Sequence, residues 1–127
     1  MEDINWENVN DKLVEYIPEL KQKYEEEVKW WGDEKPGAHN IYGAVLCPYL
    51  ENLLNTGKIG ENEEVLSRIF KLIEKLANNP DVKVQEVACV TVLEYLMDNK
   101  PLILKAKEYM GDTTLKFLKE LHNFWGD

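Results

Sequence analysis

Two histidines, two cysteines and one serine are the residues on which this chain could build metal, acid–base or nucleophilic chemistry. His39 and His122 lie 83 positions apart. Neither has a second ligand at the i+3 or i+4 spacing of a helical metal site, and no HExxH or CxxC occurs, so no metal and no other cofactor is expected. Ser67 lacks the GxSxG setting of a strained nucleophile turn. Cys47 and Cys89 sit in apolar segments with no base beside them. They read as reduced, buried thiols, with a disulfide between them the alternative. Asp33 and Glu34 are paired carboxylates of the kind used in acid–base or magnesium chemistry. Beside Lys35, and without a phosphate-binding glycine motif, they read as a solvated loop. His39 follows the glycine-containing loop and opens a helix. A cap or loop hydrogen bond is its plainer role, and small-molecule chemistry with Asp33, Glu34 or Tyr42 is the alternative. The chain is therefore expected to bind rather than to catalyse.

The more telling constellation is Glu25-Glu26-Glu27 followed by Trp30-Trp31. Neighbours on a helix point about 100° apart, so the three acids cannot share a face, but Glu26 stacks under Trp30 and Glu27 under Trp31 at i, i+4. Only one tryptophan needs to face a core. The other, exposed beside acids, has the composition of an interface anchor. The plainer alternative has both tryptophans packed around the loop that follows. The residues expected to contact a partner are Glu25, Glu26, Trp30, Trp31, Asp33, Glu34, His39 and Tyr42.

Charge distribution points the same way. The net charge is −9, and residues 1–34 hold eleven acids against four lysines, so most of the excess lies at the N-terminal end. Such a field repels nucleic-acid phosphates and anionic membranes and favours a basic protein partner. Acids that serve only solubility are the bland alternative. Arg68 is the only arginine, against fourteen lysines, a weak hint of an AT-rich bacterial genome. With 44% hydrophobic and 31% charged residues in 127, the chain can bury a core as one domain spanning 1–127. The longest uncharged run, Pro36 to Leu50, is interrupted by His39, Asn40 and Pro48, which excludes a membrane helix there. MEDINWENVN lacks the basic start and apolar centre of a secretory signal, so a cytoplasmic protein is expected.

The elements that would position these residues are helices throughout. A first helix over 5–16 is expected with Asn5 as cap and Trp6, Val9, Leu13 and Tyr16 facing inward. Pro18 permits a second start, and Leu20, Tyr24, Val28 and Trp31 recur at helical spacing up to the break at Gly32-Asp33-Glu34-Lys35-Pro36-Gly37. A third helical region over 38–55 should be kinked or split by Pro48. After a linker at 56–60, Glu61 or Asn62 opens a fourth helix. The turn Asn78-Asn79-Pro80-Asp81 then starts a strongly apolar, buried helix over 81–97. Asp98-Asn99-Lys100-Pro101 precedes a short helix over 102–110. Gly111 ends that helix, and Asp112 or Thr113 caps the last one, where His122 packs or lies at the solvent edge near Phe124 and Trp125. No segment alternates, so no sheet is expected.

Leu72 to Leu96 resembles a HEAT-type repeat: an apolar first helix, an N-P-D turn, then Val84, Val87 and Ala88, with Gln85 where such repeats often carry arginine. This resemblance implies an all-α fold of six or seven helices, arranged as antiparallel hairpins in a short HEAT-like α-solenoid stack. The whole chain also resembles a group of small bacterial proteins of unassigned or toxin-neutralising role. The matching parts are the acidic N-terminal helix, Pro36, His39, Tyr42 and Gly43, the hairpin, and Tyr109-Met110-Gly111-Asp112-Thr113. That resemblance implies an immunity protein that occludes a basic toxin domain by stoichiometric binding. The alternative is a regulatory or scaffold helical-repeat module that binds a host protein or peptide in the groove between hairpins.

Overall fold

Every regular element among the described residues is helical. The computed structural model describes residues 3–56 and 59–125, with side chains for 3–56 and 62–121. Among the described residues there are seven helices, two of them interrupted by π-turns, and no strand. None of the helices is long and apolar enough to cross a membrane. The expectations for Gly57-Lys58 in the linker and for the His122, Phe124 and Trp125 side chains lie outside the described residues, whereas the helix expected to open at Glu61 or Asn62 already begins at Ile59.

Helix α1, Val9–Tyr16, starts later than its capping signal. Asn5 Oδ1 does accept from the backbone N–H groups of Glu7 and Asn8, both at 2.9 Å, and Asn8 Oδ1 accepts from Asn5 N at 2.8 Å. That reciprocal pair closes a separate turn ahead of the helix, which leaves Trp6 exposed rather than in the core. A 3₁₀ turn, Pro18–Leu20, leads into α2, Lys21–Trp31. No residue of α2 is fully buried, although Tyr24 and Val28 pack against the core. Gly32 ends it at φ 67°, a left-handed conformation open to glycine at little cost.

Helix α3 spans 38–55, with α-helical Ala38–Ile41 and Cys47–Asn55 on either side of a π-turn, Tyr42–Leu46. Pro48 explains the widened turn. In a regular α-helix its ring would clash with the carbonyl of Ala44 and its missing N–H would leave that carbonyl without its donor, and a π-turn relieves both. Helix α4, Ile59–Ala77, begins before Asn62. Asn62 does not open it; its amide instead donates to Leu53 O at 3.1 Å and Thr56 Oγ1 at 2.6 Å, pinning the end of α3.

Helix α5 spans 82–97 and contains a second π-turn, Val87–Leu93. No proline accounts for this one; the consecutive β-branched residues Val90-Thr91-Val92 crowd a tight helix. The turn before α5 works as its sequence suggests. Asp81 Oδ1 accepts from Lys83 N at 2.9 Å, capping the helix. Buried Asn79 accepts from Asp81 N at 2.9 Å and donates to Ile4 O at 2.6 Å, so the turn also anchors the N-terminal segment. Helix α6, Lys100–Lys107, is capped by Asn99, whose side chain accepts from Leu102 N at 3.2 Å. Helix α7 is Asp112–Trp125.

Helices α4 and α5 form the centre, and α3 and α7 both pack across the pair. Leu72, Ile73 and Leu76 of α4 and Val84, Val92 and Leu96 of α5 are completely buried. Each such side chain contributes about 1.5–3 kcal/mol by leaving water. Two polar ties between distant segments complete the fold. Arg68 of α4 forks onto Glu19 at 3.0 and 2.6 Å, onto Glu64 at 2.7 and 2.9 Å, and donates to Tyr16 O at 3.0 Å. Its hydrogen bonds hold the Glu19 and Glu64 carboxyls below the ordinary value. Glu74 of α4 caps α7, replacing the local cap expected from Asp112 or Thr113. Its carboxylate accepts from Thr113 N at 3.0 Å and from Thr114 N and Oγ1 at 2.9 and 2.7 Å. The cysteines are unpaired, Cys47 buried and Cys89 half-buried, and burial pushes both thiols up to about 12.

Candidate functional site

The two tryptophans of α2 take different roles. Tyr24, Val28 and Trp31 form the inward stripe, and Trp30 stands about 120° away from it at about 100° per residue. Trp31 is half-buried and donates from Nε1 to Glu27 Oε2 at 2.9 Å. Trp30 is 78% exposed and meets Trp31 edge-on, with ring centroids 5.9 Å apart and planes at 79°. Glu26, one turn before Trp30, shares its outer face. The two border a shallow depression of about 460 Å³ with Lys23, Glu27, Ala44 and Val45. Its far side comes from the π-turn of α3, against which α2 packs. Pro48 thus affects this surface indirectly, through the turn that carries Ala44 and Val45.

The other expected contact residues divide. Glu25 is exposed but projects about 140° from Trp30 around the helix. Asp33 and Glu34 are exposed in the loop that follows. His39 belongs to a different place, where its Nδ1 lies 2.5 Å from Thr91 Oγ1 on α5 and its ring is 6.1 Å from that of Trp6. Among the described residues it makes no hydrogen bond to Asp33, Glu34 or Tyr42. Tyr42 is a correction. It is completely buried, and its hydroxyl donates to Val9 O at 2.7 Å, so it cannot touch a partner. It stands one turn inside α3 and faces α1 rather than the loop. Burial pushes its phenol far above the ordinary range, so it remains a donor.

Sequence reasoning missed a polar seam between α3 and α5. His39, Gly43, Cys47 and Glu51 recur every four residues along α3. His39 meets the Thr91 hydroxyl, Cys47 Sγ approaches Thr91 O at 3.9 Å, and Glu51 Oε1 accepts from Tyr95 Oη at 2.5 Å. The i, i+4 spacing of these residues was the available signal; nothing local named Thr91 and Tyr95 as their partners. Among the described residues, no three His, Cys, Asp or Glu side chains gather as a metal site would need.

The candidate site is therefore an exposed tryptophan and its acidic neighbours on α2, completed by two small side chains of α3. No curated protein and no solved structure matches the chain. A family model does match, over residues 10–126, a span that takes in α2, the loop after it, both π-turns and the Glu74 cap, and the chain belongs to that family, described as a domain of unknown function (DUF7674).

Proposed function

We propose that this chain is a non-catalytic, cytoplasmic immunity protein that neutralises a cognate bacterial toxin by stoichiometric binding. The observation that carries the reading is Trp30, 78% exposed on an acidic helix face. An aromatic side chain of this size gains most when a partner covers it, and tryptophan is enriched among residues that dominate interface energies. The eleven acids against four lysines in residues 1–34 would draw in a basic toxin domain and orient it, while repelling nucleic acids and anionic membranes. The exposed position of His39, bonded to a threonine hydroxyl rather than a carboxylate, favours binding over chemistry.

Capture from the source organism's lysate and culture medium tests this, with wild type beside a Glu25→Lys/Glu26→Lys variant. One basic protein held at about one-to-one is expected. Charge reversal should slow its association roughly tenfold at low salt and flatten the salt dependence. An unchanged rate would sink the acidic-face reading. A second reading, a scaffold module that binds a host protein or peptide in a groove on the α5 side, is favoured by Val82 and Val90, which are 63% and 43% exposed. It requires equal capture by wild type and by the reversed variant.

A further inference from the structure

Taking α2 as the contact face, we infer that the depression beside Trp30 is a seat for an arginine side chain of the basic partner. The exposed indole supplies a face on which a guanidinium can lie. Glu26 and Glu27 stand one turn back on the same helix and border the same depression. Glu27 Oε2 is occupied by Trp31 Nε1 at 2.9 Å, and Glu26 Oε2 has a long contact of 3.4 Å from Gln22 Nε2. Among the described residues, the Oε1 atom of each accepts no hydrogen bond, so each carboxylate keeps an acceptor for an incoming donor. Exposed Ala44, backed by Val45 at 2% exposure, gives the far side a small apolar wall against which the methylene stem of a long basic side chain can lie.

The same features favour arginine over lysine. A planar guanidinium stacks on an indole while its N–H groups fork toward a carboxylate, whereas an ammonium is compact and strongly hydrated. Lys23 also borders the depression, and among the described residues it forms no ion pair with Glu26 or Glu27. It is a resident cation at the edge of a cation site, and it should weaken the incoming arginine by repulsion.

Nitrogen-15 NMR titration of the full chain tests the seat, with N-acetyl-arginine amide, N-acetyl-lysine amide and N-acetyl-citrulline amide as probes. The Trp30 indole N–H and the Glu26 and Ala44 amides should move saturably with the arginine probe. The lysine probe should bind about threefold more weakly, the scale of an exposed cation–π contact. Citrulline, isosteric but neutral, should cause no saturable movement. Trp30→Ala should abolish the response at Glu26 and Ala44, and Lys23→Ala should tighten arginine binding about twofold to threefold. Equal responses to citrulline or lysine, no saturation with arginine, or weaker binding in Lys23→Ala would each overturn the assignment. The titration needs no toxin, so its outcome is separate from that of the capture experiment. Saturation without a captured protein would keep the seat and remove neutralisation. Capture lost in Trp30→Ala, with no probe response in wild type, would keep the binding face and remove the arginine.

Discussion

Replacing Glu74 with alanine should lower the free energy of unfolding by about 2–4 kcal/mol, since hydrogen bonds to a charged group contribute about 1.5–3 kcal/mol each and do not simply add. One carboxylate holds the start of α7. Oε1 accepts from Thr114 N and Oγ1 at 2.9 and 2.7 Å, and Oε2 from Thr113 N at 3.0 Å and Asn78 Nδ2 at 3.2 Å. Thr114 is completely buried, so its donors find no water when the acceptor is removed. The negative charge also sits at the positive end of the α7 dipole. Glu74→Gln keeps the shape but presents an amide N–H to a donor, and should recover less than half of the loss. Urea unfolding of the three proteins at about pH 7 measures this; equal midpoints would show that the cap contributes nothing to the fold.

The same contact has a pH signature and a steric one. Burial pushes the Glu74 carboxyl up, but the hydrogen bonds from Thr114, Thr113 and Asn78 outweigh that and bring it down from 4.5 to about 2. A folded-state value below the unfolded one means that the ionised form favours the fold. The stabilisation is complete above about pH 4.5 and is lost as pH falls toward about 2. Glu74→Gln should therefore flatten acid destabilisation in that window, leaving the smaller share from Glu19 and Glu64. Gly111 makes room for the cap: a Cβ there would lie 2.5 Å from Glu74 Cδ and 2.6 Å from Oε1. Since hydrogen bonds fix that carboxylate, Gly111→Ala should cost about 1–3 kcal/mol by displacing it. In a Glu74→Ala background most of this cost should vanish; an unchanged cost would place the clash elsewhere.

These contacts mark where reading the chain stops. Helices over 38–55 and 82–97 were legible because apolar periodicity and the Asn-Pro-Asp turn are local signals. The spacing of Tyr24, Val28 and Trp31 was legible as well, but which of Trp30 and Trp31 faces outward was left open until the structure placed Trp30 on the surface. Pro48 signalled a kink or split in the helix over 38–55, but not that it would take the form of a π-turn. Glu74, by contrast, lies 39 residues from Thr113, and Arg68 lies 49 from Glu19. Nothing near a carboxylate in sequence tells which helix end it will meet. The lining of the depression by Ala44 and Val45 was hidden for the same reason: it depends on α2 crossing the π-turn of α3. Tyr42 was misplaced although it falls within the helix expected over 38–55: it was grouped with His39 as a contact residue, whereas its side chain turns inward to meet α1.

Tyr42 gives the second large effect and separates the core from the contact face. Tyr42→Ala removes the largest completely buried side chain among the described residues and should cost about 3–5 kcal/mol, the range for emptying an aromatic site. Tyr42→Phe keeps the ring and removes only the donor to Val9 O, at about 1–2 kcal/mol. The gap between the two variants therefore measures packing, and the smaller change measures the tie from α3 to α1. Because the folded-state phenol is held far above the ordinary range, Tyr42 ionises first in the unfolded chain, so the Tyr42→Phe difference should be complete below about pH 10 and shrink as pH rises above it. Folded Tyr42→Phe should capture the same partner at the wild-type rate, whereas Trp30→Ala should lose it at wild-type stability. The two substitutions then act on opposite properties from neighbouring helices. If Tyr42→Phe slowed capture while remaining folded, the contact surface would have to extend through α3 to the face that meets α1, and the boundary drawn at Ala44 and Val45 would be wrong.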